Sequence, residues 1–101
     1  MRKMSKGDKL TYADVKKAIK FICENNLSQE ELLITHREIQ GVLKYKYEKD
    51  FTHQTIRDRG VSHRGYFQKK YPKAIDYNKK GSNENRGLIV KPEKYLEQVN
   101  V

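Results

Sequence analysis

Residues 52–71 read Thr52-His53-Gln54-Thr55-Ile56-Arg57-Asp58-Arg59-Gly60-Val61-Ser62-His63-Arg64-Gly65-Tyr66-Phe67-Gln68-Lys69-Lys70-Tyr71. These side-chain types suit base edges and phosphates. Arginine forks onto the acceptors of guanine, and glutamine pairs with the donor and acceptor of adenine in the major groove. Lysine, a compact point charge, fits the phosphate backbone. The stretch divides into helices in two ways. In the first, Ser62 caps a reading helix that presents His63, Arg64 and Gln68 to bases, with Lys69 and Lys70 on phosphates. In the second, the reader is the helix starting near Thr52. It continues irregularly through Gly60 and turns His53, Gln54 and Arg57 to the bases.

A second polar segment lies downstream. Residues 78–87 are wholly polar with a glycine near each end, and the apolar stretches Ala74–Tyr77 and Leu88–Val90 flank them. Two strands joined this way form a hairpin with a long basic tip. There Lys79, Lys80 and Arg86 carry charge for phosphates, while Asn83 and Asn85 can hydrogen-bond. An arginine in a minor groove responds to groove width, so Arg86 can add shape readout.

The catalytic inventory is thin. His36, His53 and His63 match no metal-ligand spacing, and Cys23 falls on the apolar face of a helical pattern. There is no carboxylate cluster for Mg²⁺ and no glycine-rich phosphate cradle. We therefore expect no enzymatic activity, cofactor, metal or small-molecule ligand. Tyr45, Tyr47, Tyr66, Phe67 and Tyr71 interleave with basic residues. Such interleaving can form a stacking platform for RNA or single strands, or it can finish a small core.

The chain of 101 residues has room for one domain: a basic arm over 1–10 and a folded unit over 11–101. It holds 22 Lys and Arg against 13 Asp and Glu, a formal net charge of +9. Residues 35–73 alone carry ten bases and four acids, a net of +6. A positive excess concentrated in one region points to a polyanionic partner. A single cysteine, no apolar leader and no run long enough to span a bilayer make a cytoplasmic, nucleoid-associated protein the expectation, with no membrane partner.

Several elements can position these residues. Thr11 to Asp14 has capping-box spacing, and Val15, Ala18, Ile19, Ile22 and Cys23 follow at helical intervals as far as Asn25-Asn26. Ser28 to Glu31 repeats the start signal, but Leu32-Leu33-Ile34 is too short for more than a strand or a helical turn. Thr35 to Glu38 opens a helix with Ile39, Val42 and Leu43 inside, running to about Lys49. A third helix should start near Thr52, with Gly60 suited to close it. Pro72 should stop the next. Pro92–Val99 fits a short helix with proline in its first turn.

Gly60-Val61-Ser62 resembles the helix-turn-helix signature of bacterial and archaeal repressors: a turn glycine, an apolar plug and a cap. Ile56 lies four residues earlier, at an inward-packing position, and Tyr66 falls where the second helix packs inward. The order helix, short strand, helix, helix, hairpin resembles the winged helix-turn-helix family. That resemblance implies an α+β fold of three to four helices followed by a two-stranded β-hairpin wing. It also implies a small regulator of the prokaryotic, archaeal, plasmid or viral type, bound to double-stranded DNA. Tyr95, Leu96 and Val99 could pair two copies into a homodimer on a palindromic site. The alternatives are an adaptor in partition or replication acting through protein contacts, and an RNA or single-strand binder.

Overall fold

Thr11 and Asp14 cap each other's backbone: the Thr11 hydroxyl accepts from the Asp14 N–H, and the Asp14 carboxylate accepts from the Thr11 N–H, both at 3.1 Å. This reciprocal box starts α1 (Tyr12–Glu24), whose Val15, Ala18, Ile19, Ile22 and Cys23 are buried at the anticipated spacing. Asn25 caps its far end. These details come from a computed structural model, which describes residues 10–61, 66–78 and 87–99. Residues 1–9 of the basic arm and the hairpin tip at 79–86 lie outside the described residues, whereas Leu10, the last residue of the arm, packs partly buried against the core.

No helix begins at Ser28. Residues 27–30 turn, and the following apolar triplet becomes β1 (Leu32–Thr35). Three consecutive apolar residues cannot form a one-sided helical stripe, but in a strand they alternate between faces. Ile34 is accordingly buried and Leu33 exposed. Thr35 then caps α2 (His36–Tyr47), accepting from the Glu38 N–H at 3.2 Å. Glu48, in the left-handed conformation at φ 55°, ends that helix slightly earlier than the sequence suggests.

Next come a short α3 (His53–Thr55), a π-helical stretch (Ile56–Val61) directly continuing it, and α4 (Tyr66–Lys70). β2 (Ile75–Asn78) and β3 (Gly87–Val90) follow, then α5 (Pro92–Val99). The sheet is antiparallel with order β1-β3-β2, so β3, the last strand in the chain, sits in the middle. Ile34 and Leu88 pair, as do Ile75 and Val90, and all four side chains point into the core. The fold is thus α+β, a helical layer against one small sheet.

α5 covers α1 within the same molecule. Tyr95 is fully buried and its hydroxyl donates to the Lys16 carbonyl at 3.3 Å. Leu96 and Val99 pack partly buried against the same core. The apolar face expected to pair two copies is therefore largely used inside one chain. An amphipathic helix has the same stripe whether its own core or a partner covers it.

Candidate nucleic-acid interface

The turn at 48–52 between α2 and α3 is held at several points. Phe51 is buried, and its carbonyl accepts from Gln40 Nε2 at 2.9 Å. The Lys49 N–H donates to the Leu43 carbonyl at 2.8 Å. The Lys49 ammonium reaches Asp14 on α1 at 2.6 Å. Thr52 caps α3 by accepting from the Thr55 N–H at 3.2 Å, and Ile56 plugs the core with no exposed surface. Local capping and two anchored side chains thus set the direction in which the helix after the turn projects.

Gln54 is exposed on α3. Arg57 is partly buried, and its Nε donates to Asp58 at 2.9 Å. That hydrogen bond holds the Asp58 carboxyl below its ordinary range, with the charges of Arg57 and His36 acting the same way. Gly60 does not close the helix as expected; it lies within the π-helical stretch, which runs to Val61. A π-helical stretch closes on i→i+5 in place of i→i+4 hydrogen bonds, which widens the helix. This matches the continuous but irregular helix of the second division. Ser62, His63 and Arg64 lie outside the described residues, as does the His53 side chain.

On α4, Lys69 and Lys70 are exposed, whereas Gln68 is engaged: its amide donates to Asp76 on β2 at 3.0 Å. Gln68 thus ties α4 to the strand that leads into the hairpin. The structure in this way brings Gln68, Lys69 and Lys70 beside the root of the segment carrying Lys79, Lys80, Asn83, Asn85 and Arg86, residues that themselves lie outside the described part.

The tyrosines do not form one open platform. Phe67 and Tyr71 are core residues. Tyr66 stacks on Tyr12 with ring centroids 3.7 Å apart and planes 2° from parallel. Lys17 and Lys46 both lie within 6 Å of the Tyr47 ring, at 5.9 and 5.7 Å. Tyr45 alone of the five is widely exposed. Among the described residues, no group of three or more His, Cys, Asp and Glu side chains is placed to hold a metal ion. No helix in that part is long and apolar enough to cross a membrane. Burial pushes the Cys23 thiol up to about 12, helped by the Glu24 charge, so it is no nucleophile at neutral pH.

Sequence reasoning saw Asp14 only as a capping residue, but it is also the buried half of an ion pair whose other half, Lys49, stays partly exposed. Burial alone would raise its pKa. The Lys49 hydrogen bond, the two Thr11 contacts and the Lys49 charge outweigh this and hold the carboxyl below its usual value. Asp14→Ala removes both a cap and a charge-assisted bond, with an expected cost of about 2 kcal/mol, modest because Lys49 remains partly in water. A depressed carboxyl pKa contributes stability above the unfolded value near 3.9 and loses it as pH falls through the folded value. Thermal unfolding of the wild type and Asp14→Ala should therefore differ at pH 7 and converge well below pH 4. A gap that persists in acid would show that the charge is not the cause. No protein-family model, curated protein or solved structure matches the chain.

Proposed function

We propose that this chain is a small double-stranded DNA-binding regulator of the winged helix-turn-helix type. α2 is the supporting helix, the helix beginning at His53 is the reader, and the β2–β3 hairpin is the wing. The observation that supports this is the order of elements around the anchored turn: helix, short strand, helix, turn, short helix with its π-helical continuation, a further short helix, then an antiparallel pair of strands of which the second, β3, also pairs with β1. The net charge of +9 supplies the electrostatic attraction such a surface needs. Gln54 and Arg57 are the first base-reading candidates, and Ser62, His63 and Arg64 extend the set along the chain. Lys69, Lys70, Lys79, Lys80 and Arg86 hold phosphates. The Tyr12–Tyr66 stack closes one face of the Tyr66 ring to bases, and Phe67 and Tyr71 are in the core, which favours duplex over single-strand recognition.

Fluorescence anisotropy with duplex DNA, single-stranded DNA and duplex RNA at two salt concentrations tests the proposal. Duplex DNA should bind most tightly, with log K falling by roughly 0.9 per phosphate contact for each decade of salt. On a selected site, Gln54→Ala should cost about 1–3 kcal/mol of discrimination, whereas Lys69→Ala should weaken all sequences alike. Should Arg64→Ala relax specificity while Gln54→Ala does not, the reader is the helix capped by Ser62. Preference for a single strand or RNA, or no binding at all, would overturn the assignment.

A further inference from the structure

α2 carries two stripes. Ile39 and Leu43 face inward and are fully buried. Flanking that stripe, Glu38, Gly41, Val42, Tyr45 and Lys46 recur at helical spacing and, with Phe21 and Ile22 of α1, line a shallow, mostly apolar groove of about 570 Å³, at whose floor Val42 is partly packed against the core. Tyr45 projects from it, 81% exposed, and the Lys46 ammonium lies 4.6 Å from the Phe21 ring centroid. Gly41 weakens a helix interior relative to alanine. Among the described residues, nothing outside the helix's own backbone and the two chain neighbours lies within 4 Å of where its Cβ would be.

We infer that this groove docks a second copy of the chain, with the two α2 helices antiparallel across a two-fold axis at Val42. Charge placement selects this occupant. Glu38 and Lys46 stand four residues before and four after Val42, roughly 6 Å along the axis on either side. Antiparallel pairing about Val42 sets Glu38 of each copy opposite Lys46 of the other, so one symmetric contact makes two opposite-charge pairs. The same symmetry lays Tyr45 of each copy over the interval between Glu38 and Gly41 of the other, where the absent Cβ leaves room. α5 offers no equivalent surface, since Tyr95 is enclosed by its own chain. The stripe is short, so the dimer is weak and reversible.

Sedimentation velocity of the full chain without DNA, over micromolar to millimolar concentrations, tests this separately from any DNA binding. The wild type should dimerise with rising concentration. Glu38→Lys and Lys46→Glu should each weaken the dimer at least roughly tenfold by setting like charges opposite one another. The double variant Glu38→Lys/Lys46→Glu should recover wild-type association. Gly41→Gln should also weaken it, with helical circular dichroism unchanged, and it carries the test if a charge reversal perturbs folding. A wild type that stays monomeric throughout, or a double variant no better than the singles, would overturn the inference.

Discussion

Phe67→Ala is expected to lower the unfolding free energy by about 3–5 kcal/mol, a large part of the stability of a domain this size. Phe67 is 1% exposed at the centre of a chain of rings. It meets Tyr12 edge-on at 6.0 Å, Tyr66 edge-on at 5.1 Å and Tyr71 at 6.4 Å, and Tyr71 in turn meets Tyr95 at 5.2 Å. One side chain therefore links α1, α4 and, through Tyr71, α5. Its removal opens a cavity that three separate elements would have to close. Phe67→Leu keeps most of the volume and should cost less than half as much. Urea unfolding followed by circular dichroism measures both, and a loss below about 1 kcal/mol for Phe67→Ala would mean that the rings are not packed together.

Gly87→Ala is the second large effect. A Cβ at this position would lie 2.0 Å from the Ile34 carbonyl oxygen and 2.7 Å from both the Ile34 carbonyl carbon and Thr35 Cα. These are backbone atoms of the paired strand, so no rotamer change relieves the clash; β1 and β3 must separate or slip. We expect about 3 kcal/mol of destabilisation, the upper end of ordinary overpacking, and lost amide-exchange protection across the β1–β3 ladder. Gly87 also starts the strand on the far side of the hairpin, so duplex affinity should fall even where the variant still folds. Gly41→Ala is the control: there a methyl meets nothing, and stability should hold or rise by up to about 1 kcal/mol. Equal destabilisation by the two substitutions would contradict the steric account.

Features set by near neighbours were legible in the sequence. The pairs Thr11–Asp14 and Thr35–Glu38 marked two helix starts, Asn25 marked a stop, and Pro92 opened α5 where its ring is tolerated. The two strands after Pro72 stood out from their flanking polar run. Contacts between distant residues were not visible. Lys49 finds Asp14 across 35 positions, and the Tyr12 ring stacks on Tyr66; no local pattern encodes either pairing. The expectation that Gly60 would end a helix followed its residue preference. Glycine permits the left-handed conformation without requiring it, and here the helix passes through it with altered pitch. For the candidate site, residue chemistry identified the region, but it could not show that Gln68 would be engaged by Asp76.

The central place of β3 has a consequence for how the chain is made. Among the described residues β1 and β2 each pair only with β3, and roughly 50 residues separate Thr35 from Gly87. During synthesis at roughly 5–20 residues per second, β1 waits roughly 3–10 s for its partner. Until then Ile34 and Ile75 have no strand between them, and the helices can only collapse on an unfinished wall. Sheet closure should accordingly be a late, slow step that follows helix formation, because it closes a long loop. Of the three strands, the one made last is the one on which the other two depend.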